Sequence, residues 1–384
     1  MIKYNKQKLT NELLFTTIAK WLKKGWIKAD DVQGLDNYVP YIKYHLLKRI
    51  GLFIAAFLSI WGVIGFFSLF LAQLANSGLG FIGFLLMAYG AGLLVFLEKM
   101  IDEKQWYKQG TDDAFLFNSI FLIFTGIILI IEPDFGQTSF LLGSILLVIM
   151  MIVVSFRYLN WFYAIVTILL INSLPIQILA LFDTQLLFFA ALVLIPLNLV
   201  ILKLVKKYET FDNYVFINCF KYIKYVACVM MYLSVNLYVI KESAIQLLGV
   251  NEIPLQGLFL ALTIIFPLLF IALGLYYKQK FLLHSGLFLL MPTVATVRAY
   301  YAVMPIELAL TLGGLVLILV SYFSIKQIQK NNTPFTFEAN EEEDLSNAEI
   351  VIIAQQFGSK NTEVQNDKTL GGGTFGGAGV EGSF

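Results

Sequence analysis

Three amide side chains lie close to prolines in two long apolar segments of the chain. Asn172 and Gln177 flank Pro175, and in the next segment Asn198 follows Pro196. A proline inside a helix leaves a backbone carbonyl without its donor, and in lipid that carbonyl must find another partner. Amides beside such carbonyls could bind a polar solute, so the spacing predicts an intramembrane polar site. The alternative is structural: kinked helices whose amides hydrogen-bond across a helix interface.

Two later apolar segments repeat this placement of proline. Pro267 and Pro292 lie near the middle of their segments, as Pro175 and Pro196 do. Kinks at such positions are tolerated where neighbouring helices, side chains or water supply the missing hydrogen bond. The four prolines therefore predict kinked or broken helices that line the polar site, with ordinary structural kinks as the alternative.

One ionisable residue, Arg298, is placed well inside an apolar segment, and Glu307 lies early in the next segment. A charge within the membrane is by default a functional feature with a partner. The turn at Pro305 would return Glu307 to a similar depth, which predicts a buried ion pair. The alternative is an arginine that extends to the headgroup layer beside Tyr300 and Tyr301.

Residue types that carry hydrolysis, group transfer or metal binding are sparse. The two histidines are His45 and His284, and the sequence contains no H-E-x-x-H, C-x-x-C or G-x-S-x-G motif. The two cysteines, Cys219 and Cys228, belong to one segment on its cytoplasmic half, where thiols stay reduced. We therefore expect no cofactor and no metal site, and the sequence disfavours an enzyme.

The composition is that of a chain solvated by lipid. Hydrophobic residues make up 58% of the 384 positions and charged residues 14%, whereas a soluble protein carries roughly 25% charged residues. The net charge is +1, so nucleic acid is not an expected partner and the lipid bilayer is.

Ten apolar segments approach the length of about 20 residues that a membrane-spanning helix needs. They predict an all-α, polytopic integral membrane protein. Lys221 and Lys224 make the seventh segment the weakest. The segments cover residues 50–73, 79–97, 114–132, 139–156, 161–182, 185–205, 219–240, 255–277, 281–303 and 305–325.

Basic residues give this arrangement an orientation. If the first segment is entered from the cytoplasm, all of the 27 Lys and Arg residues except Lys241 and Arg298 fall on the cytoplasmic side. Cytoplasmic loops are enriched in Lys and Arg. We therefore expect both termini in the cytoplasm.

Glycines are concentrated in the first two segments, at Gly62 and Gly65 and then at Gly83 and Gly90. Small residues let helix backbones approach closely in lipid, where no hydrophobic effect drives helices together. This pattern predicts that the first two spans form a tight hairpin or a self-association face.

Regions outside the spans have their own character. Residues 1–49 predict a cytoplasmic helical module with an interfacial helix, residues 50–325 the transmembrane domain, and residues 326–384 an acidic and then Gly-rich tail. Such a tail cannot support a core by itself. Residues 338–357 are a possible docking segment for a protein partner, and a solvated leash is the alternative.

Two short motifs carry a resemblance to known proteins. The sequence W-L-K-K-G-W-I at residues 21–27 precedes an acidic helix start, and R-A-Y-Y-A-V-M-P at residues 298–305 leads into the last span. With the Gly-rich first hairpin, they resemble a family of bacterial multi-pass membrane proteins of unknown function, particularly from bacteroidete-type bacteria. The resemblance implies a bacterial inner membrane and carries over no catalytic residue.

Three functional classes fit these features. The spans, prolines and amides favour a permease for a small solute with a midplane polar site. The N-terminal module and the acidic tail favour a membrane scaffold or accessory protein instead. An intramembrane enzyme that acts on lipid is the third class.

Overall fold

The computed structural model describes residues 2–24, 41, 44–71, 79–131, 137–183, 188–250 and 253–300, with isolated helical positions between 311 and 326. Within these ranges all regular secondary structure is helical. A short 3-10 helix, Phe211–Phe216, precedes α8. The eleven helices are α1 Lys6–Lys24, α2 Leu46–Leu71, α3 Leu79–Lys104, α4 Thr111–Ile131, α5 Gln137–Arg157, α6 Trp161–Phe182, α7 Ala190–Tyr208, α8 Ile217–Leu233, α9 Leu237–Leu248, α10 Gln256–Tyr276 and α11 Lys280–Tyr300.

Eight of these helices are long and apolar enough to cross a membrane: α2 to α6, α8 with the turn before it, α10 and α11. The helix α7 is not among the eight, because three lysines lie in its second half: Lys203, Lys206 and Lys207. A run of about 20 apolar residues spans the hydrocarbon layer of a bilayer. The chain is therefore a multi-pass, α-helical membrane protein.

The helices follow the apolar segments of the sequence closely, but two predicted spans differ. The sixth, 185–205, corresponds to α7, which is not among the eight helices able to cross a membrane. The predicted seventh span, 219–240, is not one helix, since α8 ends at Leu233 and α9 starts at Leu237. Only isolated positions of the tenth segment, 305–325, belong to the described part of the chain. The count of ten spans and the placement of the termini therefore stay predictions.

The closest helix pair is α3 with α4, where glycines meet backbone. A Cβ atom on Gly83 would lie 2.7 Å from the carbonyl oxygen of Gly126, and one on Gly90 would lie 2.8 Å from that of Ser119. The first two spans do not form the tight hairpin, because α2 packs mainly on α4. The alternative, a self-association face, stays a prediction. Around Gly62 and Gly65 there is open space, so the lipid-facing α2 does not use its glycines for close packing within the chain.

Helix α8 is the most enclosed element, and it packs against α6, α7, α10 and α11. Its side chains Ala227, Cys228 and Tyr232 are fully buried, and both cysteines of the helix are free thiols. Helix α7 runs antiparallel to α6 and α8, since Val205 near its end packs with Ala164 near the start of α6. The chain thus alternates in direction from α2 to α8.

Glycine packing between α3 and α4 gives a direct test of the fold. Gly83→Ala should destabilise the protein by about 1–3 kcal/mol, because the added methyl group is forced against the backbone of α4. Gly92→Ala, on the same helix with open space around it, is the matched control. It should be neutral or stabilising by up to about 1 kcal/mol, since alanine is the better helix former. Thermal unfolding of the purified protein measures both changes, and equal effects would contradict the packing described.

Candidate functional site

Asn172 and Asn198 form a closed amide pair in the interior of the bundle. Both side chains are fully buried. Asn198 Nδ2 donates to Asn172 Oδ1 at 2.5 Å, and Asn172 Nδ2 donates to Asn198 Oδ1 at 3.3 Å. Each Nδ2 also donates to the carbonyl oxygen one turn earlier on its own helix, that of Ile168 or Leu194.

The pair therefore has no amide hydrogen left for a solute. Each Asn amide carries two hydrogens, and all four are engaged within the pair and its own helices. Gln177, the third predicted site residue, is half-buried and donates to the Ser173 hydroxyl at 3.3 Å instead. The structure brings Asn172 and Asn198 together as a link between α6 and α7, and it leaves Gln177 outside that link. This arrangement matches the structural alternative of packing amides.

The four prolines lie inside continuous helices: Pro175 in α6, Pro196 in α7, Pro267 in α10 and Pro292 in α11. None of these helices is broken at its proline. Pro267 cannot donate to the carbonyl of Thr263, and the hydroxyl of Thr293 lies 3.3 Å from that oxygen. The single hydrogen of that hydroxyl is directed to the closer Leu289 carbonyl, 2.8 Å away, so Thr293 is a neighbour of the Thr263 carbonyl and at most a shared donor to it.

The chain breaks instead between α8 and α9, where no proline occurs. Ser234, Val235 and Asn236 form the turn. Asn236 caps α9, and its Oδ1 accepts the backbone N–H of Val239 at 3.1 Å. The first N–H of α9, that of Leu237, donates to the hydroxyl oxygen of Thr263 on α10 at 3.0 Å. Side chains thereby replace hydrogen bonds that a continuous helix would have made.

A buried polar network extends from this break to α11. Asn236 Nδ2 donates to the Tyr232 hydroxyl at 2.7 Å and to the Thr296 hydroxyl at 3.1 Å. The Tyr232 hydroxyl is 2.9 Å from that of Thr293. Thr293 and Thr296 each also donate to the carbonyl one turn earlier on α11, at 2.8 Å. The network ties α8, α9, α10 and α11 together at the same depth.

A cleft of about 350 Å³ lies beside this network, between the break and α11. Its buried end is formed by Tyr232, Asn236 and Thr296. The remaining lining is largely apolar and includes Pro292 and Ala295 of α11. A mostly apolar cavity with a few convergent polar groups is the usual form of a small-molecule site. It is the best candidate site in the described part of the chain.

Arg298 lies in the last turn of α11, half-buried, at the same end of the bundle as the cleft. Its Nη1 atom is buried and makes no hydrogen bond with the described residues. Nearby, the ammonium group of Lys241 lies 4.4 Å from the centre of the Tyr300 ring. Glu307 is outside the described residues, so the Arg298–Glu307 pair stays a prediction.

A cluster of charged side chains holds the opposite end of the bundle. Glu98 of α3 accepts hydrogen bonds from Arg157 at 2.6 Å and from the Tyr158 hydroxyl at 3.0 Å. Arg49, near the start of α2, is 2.5 Å from Asp113 of α4. The starts of α2 and α4 and the ends of α3 and α5 therefore meet at this one end.

The N-terminal segment packs on that end. Lys3 donates to Asp102 at 2.7 Å, and the rings of Tyr4, Tyr41 and Tyr107 pack together. Thr10 of α1 is hydrogen-bonded to the Tyr214 hydroxyl. Helix α1 is therefore joined to the bundle by contacts that cover part of its apolar surface.

Sequence reasoning missed both the network at the break and the charged cluster. A signal for the network existed: Ser234, Val235 and Asn236 place two turn-forming residues within an apolar run, and Asn is a frequent helix N-cap. A signal for the cluster was Asp112 with Asp113, since acidic residues are favourable in the first turn of a helix. Neither of these two sequence signals shows which helices pack together at the network or at the charged cluster.

The fold and the cleft define the class of the protein: a multi-pass α-helical membrane protein with a mostly apolar cleft, polar at its buried end, beside a helix break. Comparisons with protein families, with curated proteins and with solved structures found no match. Within the described ranges, no group of three or more His, Cys, Asp or Glu side chains is placed to hold a metal ion. The functional argument therefore depends on the geometry of the chain itself.

Substitution of the amide pair tests its structural role. Asn172→Leu alone should cost about 1–3 kcal/mol, because Asn198 then keeps a buried amide hydrogen and a carbonyl oxygen without partners. The double variant with Asn198→Leu should recover much of that loss, since both polar groups are then gone. Thermal unfolding of the three proteins measures the difference. A double variant less stable than the single one would contradict a closed pair.

Tyrosine burial at the charged end predicts a loss of stability in alkali. Burial, with the nearby charges of Asp112 and Asp113, raises the pKa of Tyr4 well above its ordinary value, and burial also raises the pKa of Tyr107. An unfolded tyrosine titrates near pH 10, so the stabilisation is complete below about pH 10 and is lost as the pH rises further.

The unfolding temperature, measured from about pH 8 to pH 11, should therefore fall at the alkaline end. A Tyr4→Phe, Tyr107→Phe double variant should show a shallower fall, because phenylalanine does not ionise. Tyr208→Phe, at an exposed position, is the control and should follow the unmodified protein. Identical pH profiles for the double variant and the control would contradict the assignment.

Proposed function

We propose that this protein is a permease for a small solute, and that the solute binds in the cleft between the α8–α9 break and α11. The observation that carries the proposal is the cleft of about 350 Å³ at a helix break, with Tyr232, Asn236 and Thr296 at its buried end. Permeases often form their binding sites from discontinuous helices, because irregular backbone at membrane depth is tolerated where it lines a cavity.

The site proposed here differs from the one that the sequence favours. Asn172 and Asn198 bind each other, whereas the cleft is open to a ligand and adjoins a true interruption of a helix. The break also divides residues 217–248 into two helices, α8 and the short α9, so the angle of α9 can change without unfolding of α8. Alternating access in transporters needs such a joint beside the solute.

The distribution of basic residues supports a cytoplasmic position for the charged end. Lys3, Arg49 and Arg157 lie at that end, and cytoplasmic segments are enriched in Lys and Arg. In this orientation α8 runs outward from the cytoplasm, and the cleft lies in the outer half of the bundle. The motifs at residues 21–27 and 298–305 support a bacterial inner membrane as part of this proposal, and the basic residues support both termini in the cytoplasm.

A scaffold function has less support from the described residues. The N-terminal module would be the partner-binding surface in that case, but Leu9 and Leu14 of α1 are buried within the chain. The other surface on which a scaffold would depend, residues 338–357, lies outside the described residues. We therefore retain the scaffold only as the outcome that a failed transport experiment would favour.

Blocking the cleft tests the proposal. Ala295 lines the cleft, and Ala299, one turn later on α11, does not. In proteoliposomes, Ala295→Trp should reduce uptake of a transported solute to the level of protein-free liposomes, because the indole fills the cleft. Ala299→Trp adds the same group at an exposed position and should leave uptake unchanged.

The measurement is uptake by proteoliposomes from a panel of small neutral, acidic and basic solutes, with matched thermal unfolding to show that each variant is folded. Uptake that survives Ala295→Trp, or that both variants abolish equally while folded, would overturn the position of the site. The absence of uptake for the whole panel would argue against the permease.

A further inference from the structure

The buried end of the cleft carries polar atoms whose hydrogens are already engaged. The orientation of Asn236 is fixed by chemistry: the backbone N–H of Val239 can only donate, so the atom 3.1 Å from it must be Oδ1. The two hydrogens of Asn236 Nδ2 are therefore directed to the hydroxyl oxygens of Tyr232 and Thr296.

The hydroxyl hydrogens follow from this orientation. Tyr232 accepts from Asn236, so its own hydrogen is free to point to Thr293 Oγ1, 2.9 Å away. Thr293 donates to the Leu289 carbonyl at 2.8 Å. The closest acceptor for Thr296 is the Pro292 carbonyl, also at 2.8 Å. Each hydroxyl hydrogen of the network has a protein acceptor.

The network can still accept hydrogen bonds from a ligand, because some of its oxygen atoms have unused lone pairs. A carbonyl oxygen and a hydroxyl oxygen each accept two hydrogen bonds. Asn236 Oδ1 accepts from Val239 at 3.1 Å. Thr296 Oγ1 also lies 3.3 Å from Oδ1, but its single hydrogen is directed to the closer Pro292 carbonyl. Thr296 Oγ1 accepts one hydrogen bond, from Asn236. Each of these two atoms keeps one acceptor position, so a ligand that presents a hydrogen-bond donor matches this end and a ligand that presents only acceptors does not.

The charge of the ligand follows from the same lining. None of the residues that form the cleft carries an acidic or basic side chain. A charge removed from water is costly unless an opposite charge pairs with it. The charged side chains at this end of the bundle, Lys241 against the Tyr300 ring and Arg298 in the last turn of α11, are not part of the lining.

We infer, on the basis of the proposed permease function, that the solute is an uncharged molecule with an apolar body and a hydroxyl or N–H donor. The donor bonds to Asn236 Oδ1 or Thr296 Oγ1, and the apolar body lies against Pro292 and Ala295. Alcohols and primary or secondary amides belong to this class. Ethers and carboxylates do not.

Benzyl alcohol and anisole are suitable probes, because they are isomers that differ in whether the oxygen carries a hydrogen. Binding of each to the full chain in phosphatidylcholine nanodiscs is measured by NMR, with empty nanodiscs as the reference for partition into lipid. Benzyl alcohol should bind roughly three- to tenfold more tightly than anisole, which is the range of one neutral hydrogen bond. Benzoate and benzylammonium should bind more weakly than benzyl alcohol.

Three variants locate the effect. Thr296→Val removes one of the two acceptors and frees a hydrogen of Asn236 that can bond to the oxygen of either isomer, so the preference for benzyl alcohol should shrink. Thr296→Ser keeps the hydroxyl and should keep the preference. Thr167→Val is the matched control, since the Thr167 hydroxyl makes the same bond to its own helix, in α6, away from the cleft.

Equal binding of the two isomers, tightest binding of benzoate or benzylammonium, or an unchanged preference in folded Thr296→Val would each overturn the inference. So would a lack of binding by both isomers. The binding and transport experiments test different proposals. Selective binding without uptake supports this ligand class and overturns the permease. Uptake with equal binding of the two isomers supports the permease and overturns the ligand class.

Discussion

Asn236 makes the hydrogen bonds on which the arrangement of the last four described helices depends. A helix that ends within a membrane exposes backbone groups for which lipid offers no partner, and each such group costs several kcal/mol if left unpaired. Asn236 Oδ1 accepts a hydrogen bond from one of the N–H groups at the start of α9. Asn236 Nδ2 donates to Tyr232 of α8 and to Thr296 of α11. One side chain therefore both permits the break and fixes the helices around it.

Much of the helical architecture follows from the sequence because lipid permits few alternatives. Inside a bilayer, a chain of this length must form helices of about 20 residues, so hydropathy alone gives α2 to α6, α10 and α11 to within a few residues. Hydropathy does not reveal the break between α8 and α9. Ser234 and Asn236 are uncharged, and a hydropathy average over about 20 residues hides two such residues within an apolar segment.

The candidate site could not be located from the sequence for a different physical reason. Proline and amide spacing gives the depth of a side chain but not the rotation of its helix. Asn172 and Asn198 share a depth and face each other, so they consume their own hydrogen-bonding capacity. Asn236, Thr263 and Thr296 come from three separate segments, and only packing brings them into one hydrogen-bond network beside the cleft. The sequence pattern predicts polar groups in the membrane, but it does not show that the Asn172–Asn198 pair is closed while Asn236 adjoins a cleft.

The contacts also determine which helix is able to move. Helices α8 and α11 are bonded at two depths, by Tyr225 with His284 toward the charged end and by Tyr232 with Thr293 near the cleft. Glycine packing holds α11 to α10, since a Cβ on Gly286 would lie 2.8 Å from the carbonyl oxygen of Pro267. Helix α9 has far fewer contacts and begins at the turn before Leu237. Under the proposed permease function, a rotation of α9 about that turn would change the width of the cleft, and it would act against the hydrogen bond from the Leu237 N–H to Thr263 and the apolar contacts of Leu237 and Ala244.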